Sequence, residues 1–343
     1  MPLTTPRSAV DDEADRLARP PLWRAALIPL AAAIALTAVL WPHFDEVFET
    51  TELLSVKAAA GLIGLHLLAL VLRAEAWGLC LDAADAPVDR KLLHSSSALR
   101  FLADTVVPTY VGAWVRIALL RRFAGKPPAA PTIGQMFTAD GLLLLVEGVI
   151  TLGLIAAAVF FTSIELWVII TFVGIVATAG VLVLYLYRRF RDREFVKTIE
   201  VLRSPRQRAQ LTALLIVVLT VQPIRFYIAF NALGLDPSAA DALIAFMLTS
   251  LYGALPIGPG PSVVAATATL FSGAAIGVIG SAGLVLVATA VVSAALYSLW
   301  GGSVLLRMSY ASADPALDPA LDPALDPALD GVESGSVSAS TRE

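Results

Sequence analysis

The chain has 343 residues, of which 57% are hydrophobic and only 15% charged, with a mean hydropathy of +0.78; a soluble domain carries about a quarter charged residues. That balance, with apolar runs close to the ~20 residues a bilayer core demands of a helix, excludes an ordinary soluble enzyme or nucleic-acid binder and points to an all-α, polytopic membrane protein. The net charge of −4 says little, because five acids (Asp314, Asp318, Asp322, Asp326 and Asp330) sit together near the C-terminus. The single cysteine, Cys80, allows no intramolecular disulfide, and the three scattered histidines, His43, His66 and His94, have no metal-ligand spacing.

Residues 1–21 read as a polar tail in which Arg7, Arg16 and Arg19 alternate with Asp11, Asp12, Glu13 and Asp15. The tail is too acidic for a signal-peptide n-region, and the apolar run after it is too long for an h-region, so that run is expected to be a retained first span. The predicted spans are 22–41, 54–73, 134–161, 166–187, 211–233 and 278–300. Two further apolar regions do not fit as simple spans. The region 92–120 is interrupted at Pro108 and Gly112, leaving arms 98–107 and 109–120; the region 241–275 is cut by the run Pro256 to Pro261, which no helix can traverse. At ~1.5 Å per residue neither pair of arms crosses a bilayer singly. Each region is either a distorted span or a hairpin that leaves on the side it entered.

Loop charge decides between the two, since Lys and Arg accumulate on the cytoplasmic side. The stretch 73–100 carries Arg73, Arg90, Lys91 and Arg100, and the stretch after the first break carries Arg121, Arg122 and Lys126. Both flanks are basic, so 92–120 is expected to be re-entrant from inside. The loop 188–210, with eight basic residues against three acids, is also placed inside, either as a solvated loop or as an amphipathic segment on the inner leaflet. The stretches 42–55, 162–165 and 234–241 hold acids and no Lys or Arg, and are placed outside. The result is six transmembrane helices plus two re-entrant hairpins, with both termini inside. Two halves of like order then start from opposite sides, each with a Gly/Pro-broken segment at the matching place, the pattern of an inverted-repeat transporter with a midplane site. Residues 22–306 form this membrane domain, and 307–343, with its Ala-Leu-Asp-Pro repeats, reads as a disordered tail.

Ionisable residues inside spans are costly and mark interiors or cavities. Asp104 and Arg116 flank Pro108 and are expected to pair, with Arg116 available to a lipid phosphate or else snorkelling to the interface. Asp140 and Glu147, seven apart, share one helix face. Glu147 lies deep and needs a partner, for which Arg225, two residues after Pro223, is the candidate; the pair is either structural or handles substrate or protons. The sequence carries no phosphate-binding loop, no metalloprotease helix motif and no serine-nucleophile elbow, and no loop is long enough to hide a catalytic domain. No cofactor or metal is implied.

The order Val107-Pro108-Thr109-Tyr110-Val111-Gly112 to Arg116, then Arg121-Arg122, then Asp140, then Leu255-Pro256-Ile257-Gly258-Pro259-Gly260, resembles the flippase-like membrane domain of lysylphosphatidylglycerol synthases, found also in multiple peptide resistance factors. The resemblance covers roughly residues 22–306 and lacks the soluble aminoacyl-transfer domain. It departs from the family pattern at Ala113 and at Ser262 to Ala266, where a glutamate is usual, and at Phe137, where an arginine is common. It implies a lipid flippase or transporter in the cytoplasmic (plasma) membrane, acting on an anionic or polyprenyl-linked lipid. The expected site comprises Asp104, Pro108, Gly112, Arg116, Asp140, Glu147, Arg225, Pro259 and Gly260. Two alternatives stand beside it: a non-transporting partner subunit of a separate lipid- or glycan-modifying enzyme, and an intramembrane transferase.

Overall fold

The computed structural model describes residues 34–106, 109–124, 131–159, 194–253 and 259–313, with scattered positions between 170 and 189. Among the described residues the chain is helical and has no strands. After a helical stretch at 34–40 and a 3₁₀ turn at Trp41–His43 come α1 (Phe44–Glu52), α2 (Val56–Asp82), α3 (Arg90–Val106), α4 (Thr109–Phe123) and α5 (Ile133–Val159). A 3₁₀ segment at Glu194–Leu202 then leads to α6 (Pro205–Ala232), α7 (Ala239–Gly253), α8 (Pro259–Leu270) and α9 (Ile276–Ala313).

Four of these helices are long and apolar enough to cross a bilayer: α2, α5 over Ile133–Leu154, α6, and α9 over Ile276–Ser309. They account for four of the six predicted spans. The other two, 22–41 and 166–187, lie mostly outside the described residues. Leu144, Val149, Leu299 and Leu306 on these helices are strongly exposed, as large apolar side chains are where lipid rather than water is the solvent.

Two expectations are corrected. The second span does not end at residue 73: α2 runs on to Asp82, so Arg73 is a helix-interior residue and not a loop charge. The first arm of the hairpin begins at Arg90, and the arms have 17 and 15 residues. The added turns hold Ser95, Ser96 and Ser97, which the apolar run leaves out. They are buried, and the Ser95 and Ser96 hydroxyls donate to carbonyls one turn back, at Lys91 and Leu93. Asp89 accepts from the backbone N–H groups of Lys91 and Leu92 and so starts the helix. The small side chains let α3 lie close on α9: a Cβ built on Gly301 would be 3.0 Å from Ser95 Cα, and Ser298 donates to the Ala98 carbonyl at 2.8 Å.

In each broken region the two arms lie against each other. Gly112 of α4 faces Arg100 and Asp104 of α3, and Tyr252 of α7 lies 3.3 Å from Thr269 of α8, hydroxyl to hydroxyl. α8 begins at Pro259, where a missing N–H costs nothing. The breaks themselves, 107–108 (including Pro108) and 254–258, lie outside the described residues.

The described elements recur in one order. A short helical piece (α1; the 3₁₀ segment) precedes a long span capped by a serine, Ser55 for α2 and Ser204 for α6. A pair of shorter helices follows, and then a final span. α2 and α6 pack along their lengths in opposite directions: Leu62 meets Phe226 and Phe230, Ala69 meets Val218 and Val221, and Trp77 and Leu81 share a cluster with Leu211 and Leu215. Each short piece crosses to the other half's last span. α1 lies on α9, where Ser281 donates to the Val47 carbonyl at 2.9 Å, and Val201 of the 3₁₀ segment packs in the cluster of Leu142 and Leu143 on α5.

Candidate functional site

Three helices of the first half converge on one carboxylate. Arg100 on α3 donates from Nη1 to Asp140 Oδ1 at 2.6 Å, and Arg116 on α4 donates from Nη2 to the same oxygen at 2.5 Å. Arg100 Nε also reaches Asp104 Oδ2, one helical turn along α3, at 3.3 Å. The Arg116 guanidinium lies over the Trp77 ring of α2, 3.6 Å from its centroid, and the residue is 2% exposed. Arg116 therefore does not snorkel. Its partner is Asp140 rather than the expected Asp104, whose one side-chain hydrogen bond is to Arg100. Gly112 sits where the arms come closest: a Cβ there would be 2.1 Å from Asp104 Oδ1 and 2.7 Å from the Arg100 carbonyl oxygen.

Glu147 does not meet Arg225. It pairs with Arg73 on α2, which the sequence reading had left in a loop. Arg225 instead donates from Nη1 to His66 Nδ1 at 2.6 Å and to Gln222 Oε1 at 2.7 Å, and its Nη2 reaches the Leu286 carbonyl and Thr289 Oγ1, both at 3.5 Å. A guanidinium has no acceptor, so His66 Nδ1 must be accepting. Arg225 is 4% exposed, its Nε has no hydrogen-bond partner, and among the described residues no carboxylate lies within ion-pair distance of it. It is a buried cation solvated by neutral dipoles.

These groups surround a cavity of about 410 Å³ between the two halves. Arg73, Arg100, Asp104, Arg116 and Asp140 line its first-half wall, and His66, Gln222 and Arg225 extend the polar lining towards the second half. Most of the rest is apolar, with Phe226, Phe246, Val263, Leu286, Val287 and Ala290 among the lining residues. Thr249 lines it too, and its hydroxyl is buried without a partner. The arrangement presents cationic and hydrogen-bonding groups beside an apolar surface. Of the residues singled out in the sequence, Asp104, Arg116, Asp140 and Arg225 line this cavity; Glu147 stands behind Arg73, and Gly112 is at the hairpin crossing. Pro259 begins α8, and Gly260 borders a second, apolar groove with Trp41, Phe48, Val264 and Leu284. Pro108 lies outside the described residues.

A family model described as "Lysylphosphatidylglycerol synthase TM region" matches residues 27–305, which include both hairpins and every charged residue of the cavity. The chain belongs to the lysylphosphatidylglycerol synthase transmembrane-region family. It is thus a multi-pass membrane protein of a lipid-related family. No curated protein and no solved structure matches the chain.

One departure from the family's usual pattern has a local explanation. Phe137, three residues before Asp140, packs edge-on against Trp114 with ring centroids 5.4 Å apart, and the second guanidinium on Asp140 comes from Arg100 of α3. Arg73, Arg100, His66 and Gln222 were missed as site residues. Helical spacing was a signal for all four. Arg100 precedes Asp104 by four residues, Arg73 follows His66 by two helical turns, and Gln222 precedes Arg225 by three, so each pair shares a helix face.

Proposed function

We propose that this member of the family moves an anionic or polyprenyl-linked lipid across the cytoplasmic membrane, its headgroup passing through the central cavity. The two hairpins enter from opposite faces, the N- and C-termini lie inside, and the two halves act as an inverted repeat around the midplane site. The observation that carries the reading is Arg225: a buried guanidinium with no carboxylate partner among the described residues, lining a cavity that is apolar over much of its surface. A buried cation without a counter-ion is expensive, and a phosphate of an entering headgroup supplies the missing anion in a geometry that suits guanidinium. Arg116, whose charge Asp140 matches, adds a buried guanidinium Nε that has no hydrogen-bond partner, and the N-termini of α4 and α8 contribute dipoles next to the two breaks.

The test is reconstitution in phosphatidylcholine vesicles containing NBD-labelled phosphatidylglycerol, with transbilayer movement read by dithionite quenching. Wild type should move the labelled lipid, and Arg225→Gln should lose most of the rate. Charge-assisted hydrogen bonds of this kind contribute about 1.5–3 kcal/mol, a loss of roughly tenfold to a hundredfold. No movement of any anionic or polyprenyl lipid by folded protein would turn the assignment to a non-transporting partner of a separate lipid-modifying enzyme.

A further inference from the structure

We infer that the cavity selects a lipid by the charge of its headgroup, taking a phosphodiester with one negative charge ahead of a zwitterion, a phosphate monoester or a diphosphate; this deepens the lipid-transport reading above and rests on it. Among the described residues, Arg73, Arg100, Arg116 and Arg225 line the cavity, against Asp104 and Asp140. Three of these four cations are matched. Arg100 and Arg116 form a neutral quartet with Asp104 and Asp140. Arg73 is matched by Glu147, which stands behind it. His66 adds no charge, because its Nδ1 accepts from Arg225 and an imidazolium has no acceptor. Four cations against three carboxylates leave one positive charge, and it sits on Arg225.

Net charge is costly in a site cut off from water, so the headgroup that fits is the one that cancels that charge. A phosphodiester brings a single negative charge and leaves the occupied cavity neutral. A zwitterion leaves the positive charge in place. Its ammonium also finds each carboxylate engaged: Asp140 by two guanidiniums, Asp104 by Arg100 and Glu147 by Arg73. A phosphate monoester carries about −1.5 to −2, and a diphosphate more. Either leaves the cavity negative, with Arg225 the one unmatched cation among the described lining residues.

Hydrogen bonding points the same way. Among the described residues that line the cavity, Trp77 Nε1, Arg116 Nε, Arg225 Nε and the Thr249 hydroxyl are buried donors without a partner, against one such acceptor, Asp104 Oδ1. A buried donor left unmade costs its full desolvation. The surplus is of donors, and the anionic oxygens of a phosphodiester are strong acceptors that suit guanidinium.

The test is a headgroup series with the full chain in phosphatidylcholine vesicles. Each preparation holds one lipid labelled with NBD on an acyl chain: phosphatidylglycerol, phosphatidylcholine or phosphatidic acid. Dithionite quenching gives the rate for each. Wild type should move phosphatidylglycerol at least about tenfold faster than either of the others, the scale of one charge-assisted hydrogen bond. Arg225→Gln makes the cavity neutral and should bring the phosphatidylglycerol-to-phosphatidylcholine ratio close to one. Arg225→Lys keeps the charge and should keep the ratio at whatever rate remains. Asp104→Asn adds one positive charge and should turn the preference from phosphatidylglycerol towards phosphatidic acid. A structural defect lowers all rates together and does not reorder them; if a variant moves no lipid, the wild-type series decides. A wild type that moves the three lipids alike or in another order, or a preference that survives Arg225→Gln, overturns this inference and leaves lipid transport standing. A wild type that moves no lipid at all overturns both.

Discussion

Asp140→Ala is the sharpest probe of how the first-half wall is held together. The substitution strands two guanidiniums unequally. Arg100 retains Asp104 at 3.3 Å, but Arg116, whose side chain is 3% exposed, retains only the Trp77 ring. Leaving a buried charge without its counter-ion costs about 3–5 kcal/mol, of which the stacking on Trp77 offsets up to ~2 kcal/mol in a desolvated setting. The predicted loss is therefore about 1–5 kcal/mol. The assay is unfolding in mixed micelles, run as a double-mutant cycle with Arg116→Met. Because Arg116→Met removes the very charge that Asp140→Ala strands, the pair should be less destabilising than the sum of the singles, with an interaction of roughly 1–3 kcal/mol. Strictly additive effects, or a single-mutant loss below about 0.5 kcal/mol, the scale of an ordinary surface change, would refute the quartet as described.

Other outcomes follow from the same geometry. Gly112→Ala should lower stability by about 1–3 kcal/mol through overpacking, since its Cβ meets Asp104 and the Arg100 carbonyl; Gly64→Ala, whose Cβ meets nothing within 4 Å, should be neutral or gain up to ~1 kcal/mol, and thermal denaturation compares the two. Arg225→Met should leave the unfolding midpoint unchanged or raise it, because no carboxylate is stranded, while weakening retention of NBD-phosphatidylglycerol at least tenfold in a vesicle-binding titration. A midpoint drop as large as that of Asp140→Ala would make Arg225 structural. Tyr297→Phe removes the hydroxyl bonded to His94 and should cost about 0.5–1.5 kcal/mol in the same unfolding assay, with lipid movement retained.

Much of this architecture is legible in the sequence, because hydropathy and broken helices are local signals. The run around Pro256 to Pro261 ends one helix and starts another, as proline chemistry requires. The partner assignments were not legible, and Glu147 shows why. Its depth demands a cation, but which one depends on how α2 lies beside α5, a tertiary fact that spacing does not encode. Arg73 was set aside as a loop charge because the hydrophobic run ends there, whereas the helix continues for nine residues to Asp82. With Arg73 and Arg100 lining a cavity, Arg90 and Lys91 are left to argue for the side on which the α2–α3 connection lies. The serines at 95–97 lie outside the apolar arm for the same reason, being polar by composition while Ser95 packs closely on Gly301 of α9. Arg225 was found by its depth alone, and its carboxylate-free surroundings emerged only when α2, α6 and α9 were seen together.

The account's central claim is that a lipid headgroup passes through the cavity between the halves, and plugging that cavity tests it most directly. Ala290 lines it from α9, and Ala290→Trp fills space without altering any charge or ion pair. The measurement is dithionite-resolved movement of NBD-phosphatidylglycerol in vesicles holding equal amounts of wild type and Ala290→Trp, with matching unfolding midpoints confirming that both are folded. The account predicts that the plugged protein loses at least nine-tenths of the wild-type rate, roughly a tenfold change or ~1.4 kcal/mol in the barrier. A folded Ala290→Trp protein that moves lipid at the wild-type rate would contradict it and place the path, if there is one, elsewhere.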